Sequence, residues 1–173
     1  MVSSLRGIRR CKIRAFTCGM MGSSSPDRTS VGCLSKGRKG TLFDKKVAHT
    51  DMTEPYSKEL NAAIVRAGLS EKISVTQGLT YVGVEGPRFE TAAEIRMFRS
   101  MGGDVVGMTG VPEVVLAREA GMRYSSILIA TNWAAGMQEK VSHDEVVSVM
   151  KQSGKKVRSI IERTVNDLLR NPV

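Results

Sequence analysis

Long hydrophobic runs are absent from this 173-residue chain, whose longest apolar stretch lies around Ile127–Ala130. A membrane span needs roughly 18 or more uncharged apolar residues, so no membrane partner is expected. Histidine is scarce, with two in the whole chain, and cysteine is nearly so, with three. Cys11, Cys18 and Cys33 show no CxxC spacing, so no metal site is expected. Their odd number does not suggest a disulfide framework, and a reducing, cytoplasmic location is the default expectation. No internal repeat is visible. What remains is ordinary for a globular domain: 41% apolar and 25% charged residues, in a chain long enough for one real core.

Acidic residues are also missing, but only from one end. Residues 1–46 hold 11 Lys and Arg against 2 Asp and Glu, whereas residues 47–173 hold 15 of each. The formal charge of +9 therefore belongs to the N-terminal segment. A nucleic-acid-binding fold would carry its basic patch on the folded body, so no nucleic-acid partner is expected. RNA binding by the basic tail is the weaker option; it would be steeply salt-dependent and lost with residues 1–35. Residues 1–35 are rich in Arg, Ser, Gly and Met. That composition fits an organelle transit peptide or a misplaced start, and reads most simply as a disordered segment. The chain thus divides into a basic segment, 1–35, and a domain, 36–173.

From Lys36 onward strands and helices alternate. The spacing predicts a helix over Thr53–Ala67 with Thr53 as N-cap and Gly68 as stop. A second helix is predicted over Glu90–Met101 with Ala93, Met97 and Met101 on its apolar face. A third spans Pro112–Ala120, ended by Gly121. A long amphipathic helix covers Ser142–Leu169, with Ser153-Gly154 as a candidate break. Short strands are predicted at Thr80–Val84, Asp104–Met108 and Tyr124–Thr131. This alternation argues an α/β fold with a largely parallel or mixed central sheet flanked by helices.

Ligands of such sheets gather outside the carboxyl ends of strands. Three ends are candidates: Gly86–Thr91, Met108–Gly110 and Thr131–Gly136. Read singly, their residues are ambiguous. Thr109 before a helix start is an anion ligand or an ordinary cap. Phe89 is a stacking platform or core. Glu90 reads a ring N–H or is a first-turn acid. Asn132 binds a ligand or caps a turn. His143 is a first-turn residue unless a ligand is near, and His49 in its loop says nothing alone.

Taken together the segments say more. Glu85-Gly86-Pro87-Arg88-Phe89-Glu90-Thr91-Ala92-Ala93-Glu94 and Gly107-Met108-Thr109-Gly110-Val111-Pro112-Glu113, continuing to Gly121, resemble the signature of the trimeric purine nucleoside phosphorylase and methylthioadenosine phosphorylase family. Ala130-Thr131-Asn132 at the right distance and His49-Thr50-Asp51-Met52-Thr53-Glu54-Pro55-Tyr56 upstream extend the match to roughly four-fifths of the chain. The resemblance implies phosphorolysis of the N-glycosidic bond of a purine nucleoside, giving a free purine and a pentose 1-phosphate. The partners would be the nucleoside and inorganic phosphate as co-substrate, with no cofactor, and the assembly a homotrimer. By position it implies that Phe89 packs on the base and Glu90 faces the purine N1 edge. Met108 would lie under the ribose and Thr109 would bind phosphate. Asn132, Trp133 and Ala134 would line the base pocket, and His143 would approach the 5′ substituent. His49 would reach a neighbouring subunit's site. Asn132 and Glu90 would carry the catalytic contacts to the leaving purine.

Adenine-specific members have Asp where this chain has Asn132, a second Asp where it has Ala134, and a small hydroxyl residue at Glu90. The Glu90 carboxylate can accept from N1–H of a 6-oxopurine, whereas adenine presents a lone pair there. The resemblance therefore implies 6-oxopurine nucleosides (inosine, guanosine or methylthioinosine), with methylthioadenosine as the alternative. A full-length member also begins with a glycine-containing phosphate loop, followed by a second segment with Arg-His-Gly. Residues 1–35 resemble neither. The expectation is a fragment or truncated gene product, incomplete at its N-terminus and nearly inactive alone: half of an enzyme, or a non-catalytic remnant that binds purine or associates with homologues.

Overall fold

The computed structural model of the chain describes residues 2–5, 15–17, 31–32, 41–43, 45, 47–137 and 143–171. Among them run β1 (Val2–Ser4), β2 (Ala15–Thr17), β3 (Val31–Gly32), α1 (Lys58–Ser70), β4 (Val75–Thr76), β5 (Tyr81–Gly83), α2 (Ala92–Ser100), β6 (Val105–Gly107), α3 (Gly110–Glu119), β7 (Ile127–Trp133) and α4 (His143–Arg170). The strands form one mixed sheet in the order β3-β5-β6-β1-β7-β2-β4. β3, β5 and β6 are mutually parallel, β1 is antiparallel to β6, and β7 is parallel to β1. The α/β class with a mixed, helix-flanked sheet is as the sequence predicts.

Side chains alternate across a strand, and the core divides accordingly. Tyr81 and Val105 join Val2, Leu79 and Leu128 on one face, where Val114 of α3 covers them. Val82 and Val106 join Leu5 and Ala134 on the other, beneath Ile95 and Phe98 of α2. Each such large side chain, fully buried, is worth roughly 1.5–3 kcal/mol. A third cluster brings Ile64 and Ala67 of α1 against Ile160 of α4. None of the described helices is long and apolar enough to cross a membrane.

The structure departs from the sequence reading in several places. Val2–Ser4, Ala15–Thr17 and Val31–Gly32, which composition assigns to a disordered segment, are strands of this sheet. Val2 and Leu5 are buried in its core. The rest of residues 1–35 lies outside the described residues. α1 begins at Lys58 with Ser57, not Thr53, as N-cap, since Pro55 and Tyr56 are buried ahead of the helix. It also runs through Gly68 to Ser70. A Cβ on Gly68 would lie 2.4 Å from Val75 Cγ2, so this glycine serves packing and not termination. α2 buries Ile95 and Phe98 and leaves Ala93, Met97 and Met101 outside. α4 continues unbroken through Ser153-Gly154, with Ser153 buried.

Candidate active site

The segment Val84–Glu94 gathers four charged side chains about one cavity. Glu85, Arg88, Glu90 and Glu94 line a small open cavity of ≈ 90 Å³ together with Val84 and Gly86. Ligand pockets typically enclose roughly 300–1,000 Å³. This cavity is therefore a notch able to seat one edge of a planar ring, not a whole nucleoside.

Local sequence explains its shape. Thr91 caps α2: Glu94 N–H donates to Thr91 Oγ1 at 3.2 Å, and Thr91 N–H donates to Glu94 Oε2 at 2.7 Å. This reciprocal pair satisfies two donors that a helix start leaves open. Arg88 then grips the same carboxylate with both guanidinium nitrogens, at 2.9 and 2.7 Å, and donates to the Phe89 carbonyl at 3.1 Å. The Arg88 and Thr91 bonds hold the Glu94 carboxyl down at about 2. Glu90 has the opposite character. It is 8% exposed, and burial pushes its carboxyl above the ordinary range. Its own backbone N–H is the main opposing influence; the Glu94 charge adds to the upward push, and Arg88 opposes it least. A carboxyl in a cleft that is costly to ionise and lacks a committed cation is suited to receive a ligand's N–H.

Two neighbouring segments meet this loop. Met108, half-buried, packs on Gly86, where a Cβ would lie 2.5 Å from its sulfur. Gly86 also has φ +69°, so no other residue fits there without both strain and a clash. Ala135 and Met137 pack beside Val84 on the α2-side core, and a Cβ on Gly136 would lie 2.6 Å from Ala92 Cβ. The notch is thus lined by Glu90 and Gly86, with Met108 packed behind Gly86 and Gly136 of the 134–137 loop against Ala92 at the start of α2. Phe89 stands at its rim, 47% exposed.

The three candidate strand ends do not all lie at one edge of the sheet. β7 runs against β5 and β6, so Trp133 lies level with Ser4, Val105 and Tyr81, at the edge where β5 and β6 begin. Only the loop beyond it turns toward α2. Asn132 is buried, and its amide is engaged: Nδ2 donates to Ser3 Oγ at 2.9 Å and to the Trp133 carbonyl at 2.8 Å, while Oδ1 accepts from Thr131 Oγ1 at 2.7 Å. Both donor hydrogens are spent within the protein in this conformation. Trp133 is half-buried and Ala134 is fully packed in the α2-side core. His49 is exposed in its loop. His143 opens α4, and its side chain lies outside the described residues.

Thr109 is the N-cap of α3 and is exposed, but its side chain makes no capping bond. Tyr81 takes that role from β5. Its buried hydroxyl oxygen accepts from Thr109 N–H at 3.3 Å and Gly110 N–H at 3.2 Å. The anion site expected at this helix start thus has two of its amides held by a phenol. Sequence reasoning missed Tyr81, for which no local signal exists. It also missed the Arg88–Glu94 pair beside Glu90, although the Thr91-x-x-Glu94 spacing announces a capping box.

With this geometry in place, comparison with known proteins is informative. Residues 27–166 match the family described as the phosphorylase superfamily. A probable S-methyl-5′-thioinosine phosphorylase of Methanopyrus kandleri is 48% identical over 133 residues, covering 76% of this chain and 52% of that protein. The 6-oxopurine nucleoside phosphorylase of Pyrococcus furiosus is 49% identical over 118 residues, covering 68% of this chain and 44% of that protein. Among solved structures, a methylthioadenosine phosphorylase from an antarctic soil metagenomic library superposes with a TM-score of 0.85 at 26% identity. That match takes in 99% of this chain and 58% of the other. The chain spans about half the length of the curated relatives it matches.

Proposed function

This chain belongs to the phosphorylase superfamily, and from that premise we propose that it supplies the base-reading part of a purine nucleoside phosphorylase acting on 6-oxopurine nucleosides. In the reaction a phosphate oxygen bonds to C1′ of the pentose while the C1′–N9 bond breaks. The bonding pair leaves with the purine, and the products are the free purine and a pentose 1-phosphate. Inorganic phosphate is the co-substrate and no other cofactor takes part. The protein's task is positioning and stabilisation of charge on the leaving base.

The observation that carries this reading is Glu90, a buried carboxylate in a notch large enough for a ring edge. It accepts from N1–H of hypoxanthine or guanine and faces a lone pair in adenine. A site built on such a bond rejects the wrong edge by roughly 10⁴-fold. Phe89 at the rim packs on the base and Met108 beside Gly86 underlies the sugar. Thr109 contributes to phosphate binding, and Asn132 reaches the purine after giving up Ser3. The 134–137 loop closes the base side, and His143 faces the 5′ substituent. The assembly is a cytoplasmic homotrimer in which His49 extends to a neighbouring site.

The test is phosphorolysis of inosine, methylthioinosine and methylthioadenosine by the purified chain, with its mass followed by light scattering. Turnover by this part alone is expected to be slight, and what there is should favour the 6-oxo substrates over methylthioadenosine, at three times 18.8 kDa. Equal turnover of methylthioadenosine and inosine refutes the base reading. No turnover from folded protein assigns the chain to a half-enzyme or a remnant.

A further inference from the structure

We propose that Arg88 and Glu94 act as a clamp that sets the purine selectivity of Glu90: Arg88 is a positioning residue whose guanidinium hydrogen bonds are committed to Glu94 and not to the base-reading carboxylate. The inference rests on the reading of Glu90 given above.

Only Phe89 and Glu90 lie between Arg88 and Thr91, and both flanking residues are tied to one carboxylate. Glu94 Oε2 accepts from Thr91 N–H at 2.7 Å, from Thr91 Oγ1 at 3.0 Å and from Arg88 Nη1 at 2.9 Å. Its Oε1 accepts from Arg88 Nη2 at 2.7 Å. Arg88 Nη1 further donates to the Phe89 carbonyl at 3.1 Å, so the peptide leading into Glu90 is held directly. The two-residue span has little freedom to re-aim its carboxylate.

The second effect is electrostatic. Arg88, Glu90 and Glu94 line the same notch. An uncommitted guanidinium there would pair with Glu90 and occupy the oxygens that a purine N1–H must find. Glu94 prevents this by offering a bidentate partner whose geometry matches the planar fork. Exposed ion pairs contribute little to stability. The Arg88 arm, added to a capping box that Thr91 and Glu94 already complete, is therefore better explained by what it does to Glu90 than by what it adds to the fold. The Arg158–Glu162 pair on α4, also exposed and formed at 2.7 Å through Nε alone, serves as a control outside the notch.

The experiment measures binding of hypoxanthine and adenine by calorimetry to the full chain and to Arg88→Met, Arg88→Lys, Glu94→Gln, Glu90→Gln and Arg158→Met. The quantity read is the ratio of the two affinities, since a merely structural defect weakens both bases alike. The expected result is a ratio reduced by about tenfold or more in Glu94→Gln, where Arg88 is released onto Glu90. Arg88→Lys should also lower it, because an ammonium cannot reproduce the fork. Arg158→Met should leave it unchanged. An unchanged ratio in Glu94→Gln and both Arg88 variants, with loss in Glu90→Gln, overturns the clamp and spares the base reading. A ratio near one in the unsubstituted chain, or one unmoved by Glu90→Gln, overturns the base reading and the clamp with it.

Discussion

Replacing Tyr81 by Phe removes a single oxygen, and the structure says what that oxygen does. It is the acceptor for the Thr109 and Gly110 amides at the start of α3. Thr109 is exposed, so its N–H turns to water at little cost; Gly110 is buried, so its N–H does not. Leaving one buried donor unpaired costs ~1–3 kcal/mol. Relief from burying the hydroxyl itself offsets part of this, and a net loss of about 1.5 kcal/mol is expected. For a chain of this size each kcal/mol lowers Tm by ~2–4 °C, which puts the shift at roughly 3–6 °C. Thermal unfolding followed by circular dichroism reads it. Tyr124→Phe supplies the contrast: its hydroxyl donates to Glu113 Oε2 at 2.8 Å at a surface site, where water substitutes. A Tyr81→Phe protein that melts with the parent, within about 0.5 kcal/mol, would refute the capping role and return the α3 amides to an incoming anion.

Two further outcomes follow from the site. Burial holds the Glu90 carboxyl above its ordinary range, so lowering the pH protonates it before an exposed glutamate. The protonated acid can donate to adenine N1, and accepts from hypoxanthine N1–H only through its neutral carbonyl oxygen, a weaker acceptor than the carboxylate. Preference for hypoxanthine should therefore fall as the pH drops through that raised range, and adenine binding measured across pH 4–8 checks it; constant preference speaks against Glu90 as the reader. Gly136→Ala combines φ +78° with a Cβ 2.6 Å from Ala92. It should cost ~1–3 kcal/mol in urea unfolding and disturb base binding, because the 134–137 loop must withdraw from α2.

The parts of this molecule legible in its sequence are those with local causes. α3 is foretold by Pro112, Glu113 and Gly121, and β6 by a short apolar run closed by glycines. The notch was found because Gly86 through Glu94 is a continuous motif. The rest depends on contacts distant in sequence. β1 and β4 have three and two residues, too few to carry a period, and exist because β6, β7 and β2 offer them partners. A nine-residue α2 admits two apolar faces, and the bulk of Ile95 and Phe98 decides between them only once β5 and β6 are present. Strand direction leaves no trace in composition, which is why the reversed course of β7 and the engagement of Asn132 with Ser3 were not foreseen. Tyr81 belongs to the same group, since its partner lies 28 residues away.

On the proposed reading that Asn132 serves the purine, its bond to Ser3 makes ligand and strand rivals. A purine that draws a hydrogen bond from the Asn132 amide must evict the Ser3 hydroxyl, so its observed affinity is its intrinsic affinity scaled by the fraction of molecules in which that pair is open. The debt runs in both directions, because linkage is reciprocal: a bound purine loosens β1 by as much as β1 weakens the purine. A strand of three residues at the centre of the sheet therefore works as an internal competitor. Ser3→Ala, which removes the rival acceptor from the middle of the sheet, converts that competition into tighter purine binding.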